Sequence, residues 1–143
     1  SNGQISISNV TANNNFGVGI QLSNYDGGTG TGKVIINGAL TQNNSGNDSF
    51  GRYGGVTVYS NGPVEVNNLR SFQNGSGASG YGIYIETYNN NNAKVSNSQI
   101  IGNFNSGIYA YLVSSGVLTL SNTLYFGNDF AGGAVNPDVV VTH

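Results

Sequence analysis

The sequence predicts an all-β solenoid on three observations: a repeat of nearly constant length, short runs in which apolar residues alternate, and asparagine or glycine at fixed places between them. Ile7, Ile36, Val66, Val95 and Leu120 serve as origins, each with an apolar residue two places earlier (Ile5, Val34, Val64, Ala93 and Leu118). Successive origins lie 29, 30, 29 and 25 residues apart. Two places after them stand Asn9, Gly38, Asn68, Asn97 and Asn122, and eight places after them Asn15, Asn44, Asn74, Asn103 and Asn128. With 24 asparagines in 143 residues, five of five at one column is improbable by chance. A glycine then follows in each repeat, at Gly19, Gly55, Gly82, Gly107 and Gly133, and mostly opens a second alternation, such as Ile83 and Ile85 or Ile108 and Ala110.

The elements follow in order. Coil one has a strand through Ile5 and Ile7, a turn at Asn9, a run through Val10 and Ala12, and a strand through Ile20 and Leu22. The glycine-rich segment SNYDGGTGTGK leads to coil two, whose strand holds Val34 and Ile36, and SGNDSFGRYG forms its second long loop. Coil three starts at Val64 directly after Pro63, where a missing N–H is tolerated at a strand start. Coil four has the shortest loops, and coil five runs through Leu118, Leu120 and Phe126 before degenerating into AGGAVNPDVVVTH. No segment has a helical period, so each coil supplies about three short strands that pair in parallel with those of its neighbours.

Composition narrows the function classes. Charged residues make up 7% of the chain and the formal net charge is -2, so there is no basic footprint for nucleic acid and no polybasic patch for a membrane surface. No run approaches the roughly 18 apolar residues of a membrane span. The chain has no cysteine, which excludes disulfides and thiolate metal sites. One β-solenoid domain over residues 1–143 is expected; because no amphipathic capping helix is visible at either end, it is expected to be a fragment of a longer secreted or surface protein or to have an end covered by the irregular tail.

Residues 82–103, with GIYI and AKVSNSQIIGN, and residues 107–128, GIYAYLVSSGVLTLSNTLYFGN, resemble repeats of right-handed parallel β-helices, as in pectate-lyase-like proteins and many bacterial surface proteins. The resemblance spans residues 5–128 and implies an all-β, right-handed parallel β-helix of about five coils. It also implies a structural ladder of stacked amides at Asn9, Asn68, Asn97 and Asn122, interrupted by Gly38, and a secreted or cell-surface location in a bacterium or archaeon.

Enzymes resembling this family need clustered aspartates for calcium with a base, or several acids for general acid and base work. The acids here, Asp26, Asp48, Glu65, Glu86, Asp129 and Asp138, share no column, and Glu65 and Glu86 fall on different strands. Only long loops would bring Asp26 and Asp48 together, for catalysis or for calcium, so no catalytic residue, cofactor or metal is assigned. GGTGTGKV has part of a phosphate-loop spacing, but Val34 replaces the magnesium-binding hydroxyl and a strand follows in place of a helix. His143 stands alone at the end of the chain. Glu65 and Lys94 share a column and are expected to pair on the surface.

The aromatic residues carry more. Strand alternation puts Gln21, Thr57, Tyr84 and Tyr109 in one outward column and Ser23, Tyr59, Glu86 and Tyr111 in another, both expected to be exposed. Tyrosine faces edged by hydroxyls suit stacking on sugar rings, and tyrosine is also an ordinary strand former. Tyr59, Tyr84, Glu86, Tyr109 and Tyr111 are therefore the candidate carbohydrate-binding residues. The expected function is a non-catalytic extracellular module, either a spacer or a carbohydrate-binding adhesive surface. A polysaccharide lyase or glycoside hydrolase is the alternative. The expected partners are a polysaccharide or cell-surface glycan, and a second copy by end-to-end association.

Overall fold

The computed structural model describes residues 3–25, 31–47, 51–76, 80–128 and 138–143. Alternating β-branched and polar residues form strands throughout, and no helix occurs among the described residues. The strands are β1 (Ile5–Asn13), β2 (Ile20–Ser23), β3 (Val34–Gln42), β4 (Tyr53–Ser60), β5 (Val64–Phe72) and β6 (Gly80–Thr87). They continue as β7 (Ala93–Ser96), β8 (Gln99–Ile101), β9 (Ile108–Leu112), β10 (Leu118–Ser121), β11 (Leu124–Phe126) and β12 (Val139–Thr142). One sheet stacks β1-β3-β5-β7-β10, with β8 and β11 alongside, and the other stacks β2-β4-β6-β9-β12. All the pairings are parallel.

The result is a parallel β-solenoid of about four turns, slightly fewer than the five coils the sequence predicts. The register reproduces the sequence alignment: Ile7, Ile36, Val66, Val95 and Leu120 lie one above another, as do Ile5, Val34, Val64, Ala93 and Leu118. In the middle rungs these side chains are fully buried with Leu69, Ile83, Ile85, Ile100 and Ile108, and each of the valines, leucines and isoleucines contributes about 1.5–3 kcal/mol by leaving water. Their counterparts Ile5 and Ile7 in the first rung and Leu118 and Leu120 in the last are only partly buried.

Two left-handed corners shape each rung. At the first, φ is 53° at Asn9, 75° at Gly38, 57° at Asn68, 50° at Asn97 and 46° at Asn122. At the second, φ is 56° at Asn14, 54° at Asn43, 51° at Gln73, 65° at Gly102 and 61° at Gly127. Asparagine and glycine recur there because they tolerate this backbone at least cost.

The asparagine ladder is present but runs differently from the expected column. On the surface, Asn122 donates to Asn97 at 2.8 Å, Asn97 to Asn67 at 2.8 Å and Asn67 to Asn37 at 2.9 Å. The series thus follows the expected corner column from Asn122 to Asn97 and then shifts to the residues just before the corners, Asn67 and Asn37, so that Asn9 and Asn68 stand at their corners without joining it. The stronger ladder is the buried column eight places after the origins. Asn15 donates through Nδ2 to Asn44 Oδ1, and Asn44 to Asn74, at 2.8 Å each; Asn74 to Asn103 follows at 3.0 Å and Asn103 to Asn128 at 2.9 Å. The glycine column exists to admit it: a Cβ on Gly19, Gly55, Gly82 or Gly107 would lie 2.5–2.8 Å from the next rung's asparagine Nδ2.

Two further expectations change. Glu65 stands opposite Lys94 in register, yet its ion pair is with Lys33 on the other side, at 2.5 Å, both side chains being partly exposed. The tail is not wholly irregular, since β12 adds a fifth strand beside β9. Asp26, Asp48, Asp129 and Gly133 lie outside the described residues, and so do the loop arrangements suggested for them.

Candidate functional site

The outer face of the second sheet holds the site. Pairing places Gln21, Thr57, Tyr84 and Tyr109 in one column and Ser23, Tyr59, Glu86 and Tyr111 in the other, as the alternation requires. Their exposure differs from expectation: Tyr84 is 1% and Tyr59 6% exposed, and Thr57 is buried, while Glu86, Tyr109 and Tyr111 are half-buried. The cover comes from residues outside the two columns. Arg52, just before β4, lays its guanidinium over the Tyr84 ring, 4.8 Å from the centroid. Tyr81 packs beside Tyr84 and Tyr109, with centroids 5.6 and 5.2 Å away. Tyr84 and Tyr109 stack nearly parallel at 5.3 Å and 12°, and Tyr59 tilts onto Tyr84 at 5.9 Å.

Beside this packed group opens a cleft of about 200 Å³ lined by Ser23, Tyr25, Arg52, Tyr59, Glu86 and Tyr88. Glu86 organises it. Tyr84 Oη donates to Glu86 Oε2 at 2.7 Å, and Tyr88 Oη donates to Glu86 Oε1. Both oxygens are thus fixed, and each keeps further lone-pair capacity for a donor. Burial, and then the neighbouring Glu86, push the Tyr84 and Tyr88 phenols well above their ordinary range, so both stay protonated donors at neutral pH. Burial raises Tyr81 as well. Burial by itself would lower the Arg52 pKa, but the neighbouring phenols, Tyr84 first, outweigh it and leave it raised. Tyr25, 48% exposed, rests on Tyr88 with ring centroids 4.5 Å apart and forms the rim.

The structure therefore unites Tyr59 and Glu86 in a cleft, places Tyr84 in the packed group beside it with its hydroxyl on Glu86, and leaves Tyr109 in the stack and Tyr111 outside the lining. Tyr25, Tyr88 and Arg52 are functional candidates that sequence reasoning did not select. For Tyr88 the signal was available, since Tyr84, Glu86 and Tyr88 recur at every second residue. Arg52 comes from a long loop with no periodicity to read. His143 sits with its ring 3.1 Å from the Leu112 carbonyl, a contact that fastens the last strand. Among the described residues no group of three His, Cys, Asp or Glu is placed to hold a metal, and no helix is long and apolar enough to cross a membrane.

Neither family models, nor curated proteins, nor solved structures give a match to this chain. The geometry of the cleft is therefore the ground on which a functional reading stands.

Proposed function

We propose that the chain is a non-catalytic extracellular module of the pectate-lyase-like β-helix superfamily, displayed or secreted by a prokaryote, which binds carbohydrate through the Tyr25–Glu86 cleft. One observation carries this reading: aromatic rings and fixed polar groups converge on a single opening. Tyr25, 48% exposed, offers a ring at the rim where it packs on Tyr88, Tyr59 and Tyr88 line the opening, Glu86 offers acceptors already aligned by two phenols, and Arg52 brings its guanidinium. Ring faces beside aligned donors and acceptors suit a pyranose, with its apolar C–H face and equatorial hydroxyls. At about 200 Å³ the opening takes one sugar ring, the end or a branch of a glycan, and not a long buried chain.

The alternative, a lyase or hydrolase, has less support. Glycosidic hydrolysis uses two carboxyl groups about the scissile bond. Among the described residues of the cleft Glu86 is the one carboxylate, and both its oxygens are engaged by tyrosines.

A glycan array probed with the wild type, Tyr25→Ala and Glu86→Gln tests the reading. Tyr25 is exposed enough for alanine to leave the fold intact. Retention of a glycan by the wild type and its loss in both variants is expected. Retention unchanged in both variants, or no retention by the wild type, rejects it.

A further inference from the structure

The buried ladder has a direction. Each interior asparagine receives on Oδ1 the backbone N–H and the Nδ2 of the asparagine one rung earlier: Asn74 from Asn44 at 3.2 and 2.8 Å, Asn103 from Asn74 at 3.0 and 3.0 Å, and Asn128 from Asn103 at 3.0 and 2.9 Å. A sixth asparagine would be needed to receive the same pair from Asn128. Asp138 takes that role, accepting Asn128 N–H at 3.2 Å and Nδ2 at 2.7 Å on Oδ1.

Asp138 does so from a different backbone position. Val139 pairs with Ile108, so Asp138 stands level with Gly107, in the glycine column. Its carbonyl accepts Ile108 N–H at 2.9 Å, as the Gly107 carbonyl accepts Ile83 N–H at 2.9 Å one rung before. In the interior rungs a Cβ in this column would lie 2.5–2.8 Å from the following asparagine's Nδ2, closer than side chains approach. The last rung carries such a Cβ, with a carboxylate beyond it.

The two ends otherwise match. Ile5 and Ile7 of the first rung occupy the same columns as Leu118 and Leu120 of the last, and all four are only partly buried. Among the described residues no strand pairs with the outer edge of β1. Laying the first rung of one copy on the last rung of another would continue the parallel register and cover both apolar ends. It would also bring Asn15 of the incoming copy to the place that the Asp138 side chain fills. We propose that Asp138 is a built-in terminator of the buried ladder, closing it against head-to-tail stacking with a second copy of the chain, and so against the end-to-end association that the sequence leads one to expect.

Two roles, acceptor and steric block, separate in a variant series. Asp138→Asn keeps both, Asp138→Ala keeps the Cβ alone, and Asp138→Gly removes both. The natural chain lacks cysteine, so Ser8→Cys with Ser121→Cys gives a clean probe. Ser8 and Ser121 are exposed and belong to one column through Asn37, Asn67 and Ser96. Head-to-tail stacking would set them about 4.8 Å apart, within disulfide reach. Under oxidation, the double-cysteine protein should stay monomeric with Asp138 or Asp138→Ala, and form linear disulfide-linked oligomers with Asp138→Gly. Melting midpoints should stay near wild type for Asp138→Asn and fall for Asp138→Ala. Oligomers in the Asp138 background, a folded Asp138→Gly protein that stays monomeric, or equal midpoints for Asp138→Asn and Asp138→Ala would each overturn the proposal. If Asp138→Gly does not fold, the Asp138 background and the Asn and Ala midpoints still decide it.

Discussion

Replacing Asn74 by alanine tests what holds the rungs together. Asn74 is fully buried, and its Oδ1 accepts both the backbone N–H and the Nδ2 of Asn44. Its own Nδ2 donates to Asn103 Oδ1 at 3.0 Å, Ser71 Oγ at 3.0 Å and the Thr41 carbonyl at 3.2 Å. Alanine keeps the backbone donation to Asn103 but leaves the Asn44 N–H and the Thr41 carbonyl without these partners, in an interior sealed from water. At about 1–3 kcal/mol for each stranded group, the loss should be about 4 kcal/mol, or roughly 12 °C in melting temperature for a chain of this size. Asn97→Ala is the control: its amide bond is exposed, and the main cost is placing alanine at a left-handed φ of 50°, about 1–2 kcal/mol. Urea unfolding followed by far-ultraviolet circular dichroism measures both. An Asn74→Ala loss below about 1 kcal/mol, or one no larger than that of Asn97→Ala, would refute the claim that the buried ladder stabilises the stack.

Other consequences are as direct. Gly82→Ala should destabilise by about 1–3 kcal/mol, because the new Cβ meets Ile100 Cγ2 at 2.4 Å and Asn103 Nδ2 at 2.6 Å; thermal melting checks it. Lys33→Ala should cost less than about 1 kcal/mol and lose that small effect in high salt, since its pair with Glu65 is partly exposed. The raised phenols of Tyr84 and Tyr88 set the alkaline limb of stability. Above about pH 10 the unfolded chain releases these protons while the folded chain holds them, so stability is full below that pH and declines as pH rises. Urea midpoints across this range should show the decline, and Tyr88→Phe should flatten it.

Much of the fold was legible because a solenoid repeats its solution. The columns through Ile7 and through Asn15 were readable because every rung faces the same demand at the same place; the strand register confirms the first and the amide hydrogen bonds the second. The asparagine signal was ambiguous in role: a column at a left-handed corner and a column of buried amides look alike in sequence. Only packing shows that Asn74 is enclosed while Asn97 meets solvent. The tyrosine columns were likewise right in register and wrong in exposure, because the side chains covering Tyr84 come from Arg52 and Tyr81, outside the alternation. Asp138 stayed hidden for a related reason. It holds a glycine position by three-dimensional register, ten residues after Asn128, where Gly107 follows Asn103 by four.

Nuclear magnetic resonance of protein labelled on its nine tyrosines, titrated with neutral mono- and disaccharides, tests the carbohydrate-binding cleft most directly. Saturable shifts of the Tyr25, Tyr59 and Tyr88 ring signals, with Tyr125 on the last rung unmoved, are the expected result. Titrations that leave those three rings unchanged while moving Tyr125, or that move none of them, would contradict the assignment of this face as a sugar-binding surface.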